Sequence, residues 1–142
     1  MKDGVYPCYE NQFGIGKTAE NTTPIADMEN FSVSFDNGVE EWTPYNTEGW
    51  KRRLMTGKGL VISVNGKRNI GDAGNDFVDG LKMKNGREAE AYFVWTFPDG
   101  SKIAFENAVI NVKNVGAGDA TGVAPLEFDV MSNGKPIYTP AA

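Results

Sequence analysis

The sequence predicts a mainly β protein: an antiparallel β-sandwich or barrel of seven to eight strands, one flanking α-helix at about Asp76 to Lys84, and an extended N-terminal arm. Three observations carry this. Short apolar runs alternate with polar residues at period two, the pattern of strands with one buried face. Turn signals of the Asn-Gly and Asp-Gly type separate those runs. Finally, 17 glycines and 7 prolines among 142 residues leave few stretches able to sustain a long helix.

Residues 1 to 27 hold scattered large apolar side chains, Val5, Tyr6, Tyr9, Phe13, Ile15 and Ile25, with no helical or alternating period, and read as an arm. From residue 28 to 142 the chain reads as one domain. Phe31, Val33 and Phe35 alternate with Ser32, Ser34 and Asp36, and Asp36-Asn37-Gly38 turns the chain. Val39 to Tyr45 reads as a second strand ending near Pro44. Asn46 to Met55 fits either an irregular connection or one helical turn. Leu60, Ile62 and Val64 alternate up to Asn65-Gly66. The single helix follows: Phe77, Val78, Leu81 and Met83 supply its apolar residues, Asp72 or Asn75 its cap, and Asn85-Gly86 its end, with Gly80 weakening the interior. Ala89, Ala91, Phe93, Trp95 and Phe97 share one strand face, and Pro98-Asp99-Gly100 reverses the chain into a long strand from Ile103 to Val115. After a small-residue loop at 116–122, Leu126, Phe128 and Val130 alternate again, and Asn133-Gly134 leads into a short last strand near Ile137 to Thr139.

Composition closes several function classes. There is no histidine, which removes a Cys/His zinc site, the Ser-His-Asp and Cys-His arrangements and the commonest general base. The lone Cys8 has no internal disulfide partner. No apolar run approaches the roughly 20 residues needed to span a bilayer, and the start lacks the apolar core of a signal peptide, so no membrane insertion is expected and the chain is read as made and folded in the cytoplasm. A net charge of −5 argues against holding nucleic acid by its phosphates, though not against a protein that DNA passes without sticking.

Individual motifs add little chemistry. Gly14-Ile-Gly-Lys-Thr resembles the end of a phosphate-binding loop, but Asn11 stands where that loop needs its first glycine. Asp72, Asn75, Asp76 and Asp79 lack EF-hand spacing and sit where acids favour a helix start. Glu40 and Glu41 point to opposite strand faces. Lys51-Arg-Arg, with Lys58, Lys67 and Arg68, is the basic concentration of the chain; as a nucleic-acid patch it has Trp50 and Tyr45 near but is opposed by the acidic remainder, and it suits acidic groups of neighbouring subunits or plain surface. No catalytic, cofactor or metal site emerges, and the chain is read as no enzyme. What remains is apolar material that a core of this size does not cover: the arm, with Tyr6, Phe13 and Ile15, and the connection bearing Trp42, Tyr45 and Trp50 beside Arg52 and Arg53. These are the expected subunit-interface residues.

Several segments in order resemble the tail tube (major tail) proteins of long-tailed phages: Glu41-Trp-Thr-Pro, Gly49-Trp-Lys-Arg-Arg-Leu-Met-Thr-Gly-Lys-Gly, Ser63-Val-Asn-Gly-Lys-Arg-Asn, Gly71-Asp-Ala-Gly-Asn-Asp, Trp95-Thr-Phe-Pro-Asp-Gly and the closing Val123-Ala-Pro-Leu-Glu-Phe-Asp-Val-Met-Ser-Asn-Gly-Lys-Pro, spanning about Ala26 to Pro140. The resemblance implies a β-sandwich flanked by a helix; the added C-terminal immunoglobulin-like domain that some relatives carry is not expected here. It also implies hexameric rings stacked into a hollow tube that carries the genome, with itself, tape measure protein and tail terminator or tip proteins as partners. The implied location is the virion tail, with assembly in the host cytoplasm. Contractile phages, bacteriocins and type VI secretion systems use tube subunits of the same general fold, so a contractile particle stands as the alternative to a flexible non-contractile tail. A carbohydrate-binding sandwich using Trp42, Trp50 or Trp95 as a stacking platform is the competing class, and a carboxylate-only hydrolase has no nameable pair. Under the tube reading, Glu90, Glu106, Glu127 and Asp129 at polar strand positions are the expected channel lining, their charge keeping DNA from being held.

Overall fold

The computed structural model describes residues 4–141. Along the chain come β1 (Gln12–Gly16), β2 (Thr23–Pro24), β3 (Met28–Phe35), β4 (Gly38–Trp42), β5 (Arg52–Gly57), β6 (Leu60–Lys67), α1 (Ala73–Asp79), β7 (Glu90–Thr96), β8 (Lys102–Val115), β9 (Pro125–Met131) and β10 (Ile137–Thr139). Their order follows the pattern of the sequence: β6, β7 and β9 alternate buried with half-buried residues along their whole lengths. Apolar side chains two residues apart fall on one face of a strand, and water drives that face inward.

Eight strands form one antiparallel sheet, seven in the order β2-β1-β7-β8-β9-β6-β3 and the eighth, β10, paired with β8. The sheet curls until its two ends meet face to face. Phe13 of β1 lies 4.8 Å from Phe31 of β3, edge to face, and Phe31 also meets Trp95 at 5.5 Å. The core between them includes Ile15, Ile62, Val64, Phe93, Phe105, Leu126, Phe128 and Val130, all 2% exposed or less. Among the described residues no helix is long and apolar enough to cross a membrane.

The helix is one turn earlier than expected, Ala73–Asp79 instead of about Asp76 to Lys84. Its start is set by Asp72, whose carboxylate accepts the Asn75 backbone N–H at 3.0 Å, and Gly80 caps its end, leaving 81–84 as successive turns. Asn75 is fully buried and spends its whole amide: Nδ2 donates to the carbonyls of Ala26 (3.2 Å) and Lys67 (2.9 Å), and Oδ1 accepts from Asn69 N (3.1 Å) and Arg68 Nη1 (2.8 Å). The helix is thereby riveted beside the Lys67 end of β6.

Two further expectations change. The segment 12–24 contributes two strands to the sheet: β1 pairs with β7 through Gln12↔Thr96 to Gly16↔Tyr92, and β2, after a 3₁₀ turn at Ala19–Asn21, pairs with β1. Its alternation was hidden because Gly14 and Gly16 take the places of polar residues. A side chain at Gly16 would run into the Asn21 carbonyl, so glycine is required by close backbone approach. The connection after β3 is a hairpin. β4 pairs with β5 from Gly38↔Gly57 to Trp42↔Arg52 as a separate two-stranded sheet, and Tyr45–Thr47 forms a 3₁₀ turn at its tip. The last strand β10 continues β9 along the same edge of β8, with Ile137 opposite Ala104, after an interruption at 132–136.

Candidate assembly surfaces

The β4–β5 hairpin has no part in the core: every residue of both strands is exposed. A two-stranded hairpin is marginal alone in water, yet this one displays Val39, Leu54 and Met55 along its strands and Tyr45 and Trp50 at its tip, the last two 107% and 78% exposed. The tip is internally braced. Thr47 Oγ1 donates to the Pro44 carbonyl (3.0 Å) and lies 2.7 Å from the Trp50 carbonyl, while Trp50 N donates to Thr47 O at 3.0 Å. The basic run is split by strand alternation. Arg52 lies over the Trp42 ring, 5.5 Å from its centroid, whereas Arg53, on the other face, pairs with Glu41 at 3.5 Å. The structure thus places the expected Trp42, Tyr45, Trp50, Arg52 and Arg53 together on one projecting element.

Phe13 and Ile15 do not join them. Ile15 is fully buried, and Phe13 packs among Phe31, Phe93 and Trp95, so both belong to the core and are removed from the expected interface. Tyr6 stays half exposed, ahead of β1. Trp95 is likewise core, 8% exposed, stacked on Phe97 at 4.2 Å with its Nε1 donating to Asn11 Oδ1 at 2.9 Å. That takes the best-placed tryptophan out of any carbohydrate platform. The phosphate-loop resemblance also ends here, since Gly14 to Gly16 lie in the β1 ladder with their backbone committed to β7 and β2. The acidic cluster is structural: Asp72 caps α1, and Arg68 ties Asp76 (2.8 Å) and Asp79 (3.3 Å). The hydrogen bond from Arg68, then that from Gly71 N, holds the Asp76 carboxyl below the usual carboxylate range.

A second surface is the outer face of β3, β6, β9 and β8. Register sets its rows: Ser32, Ser63, Asp129 and Asn111 stand side by side, as do Asn30, Asn65, Glu127 and Asn114. Glu90 falls on the same face through Val109 and Met131. Glu106 lies apart, in the register shift of β8 between the partners of Ala91 and Phe93. Asp129 accepts from Ser63 Oγ at 2.7 Å and pairs with Lys113 at 3.1 Å. Burial pushes its carboxyl up, but the hydrogen bonds from Ser63, Lys113 and Asn111 together with the Lys113 charge outweigh that and leave it below the ordinary value. Lys67 pairs with Glu29 at 2.8 Å. Glu127 therefore faces outward with no ion-pair partner among the described residues, and the face is hydroxyl- and amide-rich with an acidic excess. Sequence reasoning found Glu127 and Asp129 from their strand positions but missed Ser63 and Lys113, which reach Asp129 only across the β6–β9 and β8–β9 ladders.

No protein-family model and no curated protein matches this sequence. Among solved structures the chain is similar to the tail of an empty gene transfer agent particle with C6 symmetry (TM-score 0.76, 18% identity, 96% of this chain and 100% of that chain). It is also similar to a sheath/tube terminator of an extracellular contractile injection system (0.63, 14%, 97% and 99%) and to the sheath–tube complex of such a system (0.60, 15%, 96% and 93%). At these identities the likeness establishes the fold.

Proposed function

We propose that this chain is a structural tail tube subunit, whose copies form hexameric rings that stack into a hollow tube for DNA ejection. One observation carries the reading: a fully exposed, aromatic-tipped hairpin on a fold shared with tail, tube and terminator components, one of them of C6 symmetry. An element that stabilises nothing in its own chain and still displays tryptophan and tyrosine is built to be covered by another chain.

Each surface then has a role. The hairpin, with Trp42, Tyr45, Trp50, Arg52 and Arg53, makes contacts between subunits, and residues 4–11, with Tyr6, add to them. The polar outer face of β3, β6, β9 and β8 lines the channel. Its Glu90, Glu127 and Asp129 repel phosphates, and its hydroxyls and amides keep the wall wetted without gripping DNA, since phosphate contacts by lysine and arginine would release counterions and hold the genome. Terminator, tip and tape measure proteins complete the tail, assembly takes place in the host cytoplasm, and no enzymatic step is involved. Electron microscopy of the concentrated purified protein tests this: rings or tubes are expected, whereas monomers that bind a glycan overturn it.

A further inference from the structure

The hydrophobic core is closed at one end and open at the other. At the Lys67 end of β6 the helix is tied down by Asn75. At the Leu60 end, Leu60 itself is buried, but the apolar side chains of Phe35 and Tyr138 beside it are left largely uncovered. β9 leaves the ladder after Met131, where Ser132 bonds Leu60 in both directions (Leu60 N to Ser132 Oγ 3.0 Å, Ser132 N to Leu60 O 2.9 Å), and the chain rejoins β8 only at β10. The gap is a groove of about 570 Å³ walled by Phe35, Leu60, Ile103 and Tyr138, with Lys58 and Lys135 at its rim. Phe35 is paired with Leu60 and Tyr138 with Ile103, so these residues stand on the core side of the sheet, yet Phe35 and Tyr138 are 60% and 61% exposed.

Resting on the tube-subunit reading above, we infer that this groove seats the hairpin tip of a second copy, with Tyr45 and Trp50 entering the apolar walls and Glu48 meeting Lys58 and Lys135. Three facts choose this occupant. The tip presents two aromatics, each with 150–250 Å² to bury, against a mouth within the size range of built binding pockets. Glu48 is the charged residue of the 44–50 tip, and the groove rim is basic, with neither lysine in an ion pair among the described residues. The tip is also braced by Thr47, so little ordering is needed on docking. The partner must be another copy, because the ladder from Gly38↔Gly57 to Trp42↔Arg52 holds the tip roughly 15 Å or more from its own root, at about 3.4 Å per residue. Such a contact is heterologous, and it closes a ring or extends a stack according to the rotation it imposes.

The test uses full-length chains with Cys8→Ser, one carrying Asn46→Cys and the other Lys135→Cys, mixed under assembly conditions and oxidised. Disulfide-linked heterodimers between the two chains are expected. The second arm is charge reversal: Glu48→Lys should raise the concentration needed for assembly about 30-fold, the scale of one hot-spot contact, with an unchanged melting temperature. Lys58→Glu with Lys135→Glu in the same chain should restore it. If wild-type protein assembles but only Asn46–Asn46 or no crosslinks form, and charge reversal leaves assembly intact, the groove is not the seat and this inference falls alone. If the wild type forms neither rings nor tubes, the tube reading itself falls.

Discussion

Excising the hairpin separates assembly from folding. The backbone of β3 and β6 comes together at its root, where Asp36 N donates to Gly59 O at 2.8 Å, so residues 37–58 can be replaced by Asn-Gly, a two-residue type I′ connection. No side chain in the removed segment is buried, so the core loses no apolar area and no cavity forms. The remaining contribution is loop closure. Shortening 22 residues to two is about three and a half halvings, each near 0.6 kcal/mol, which gives up to ~2 kcal/mol of added stability if the hairpin is loosely held. Urea unfolding of the monomer should therefore show stability between unchanged and ~2 kcal/mol higher, a rise in melting temperature of at most about 10 °C for a chain of this size. Sedimentation and microscopy should show no tubes. A loss of more than about 3 kcal/mol, on the scale of a large-to-small core replacement, would mean that the hairpin supports the core and would refute its assignment as an assembly element. Normal tubes from the excised chain would refute the assembly role directly.

Ile15→Ala, in the segment that reads as an arm, should destabilise the monomer by about 2–5 kcal/mol in urea, whereas Tyr6→Ala should leave monomer stability within about 0.5 kcal/mol; equal small effects would return β1 to the arm. Asn75→Leu strands Asn69 N and the carbonyls of Ala26 and Lys67, while Arg68 keeps Asp76 and Asp79, and should lower stability by about 3 kcal/mol or more at about 1–3 kcal/mol per buried unpaired group. Asp129 has a folded-state pKa below its unfolded value, so its contribution is present above about pH 4 and is lost as pH falls through the folded value. Asp129→Asn should accordingly reduce stability at pH 7 with the difference from wild type shrinking in acid, and a pH-independent difference would contradict the Ser63–Lys113 account. Wild-type tubes should retain no DNA at low ionic strength, while Glu90→Lys with Glu127→Lys should retain it with a salt slope of about −0.9 per phosphate contact; tight, salt-sensitive binding by the wild type would reverse the assignment of the channel face.

The sequence by itself determined what is local. Period-two alternation located β3, β6, β7 and β9 and their buried faces, because apolar residues two apart on a strand can only be satisfied together, and the Pro98-Asp-Gly reversal located β8. Pro98-Asp-Gly and Asn133-Gly134 located turns, because few residues tolerate the positive φ that Gly100 and Gly134 adopt there. The expected turns at Asn65-Gly66 and Asp36-Asn-Gly do not form: the first lies inside β6, paired to β3 and β9, and the second runs on from β3 into β4. The absence of histidine bounded the chemistry before any fold was known, and the exposed Trp42, Tyr45 and Trp50 were legible as apolar side chains outside any periodic run. Tertiary structure alone decided the rest. β1 is a strand because β7 offers it a ladder some 80 residues away, and its own glycines show no polar face to read. β5 exists through pairing with β4, in a stretch, Arg-Arg-Leu-Met-Thr-Gly, with no alternation to mark a buried side. Asp129 is quieted by Ser63 and Lys113, and the groove beside β10 opens where β9 leaves its neighbour, both consequences of register between distant strands. The physical reason is common to all four. Side-chain period is a property of a strand and its solvent, but pairing, ion-pair formation and an uncovered core edge depend on which strands meet. Contacts between segments tens of residues apart leave no trace in either segment read alone.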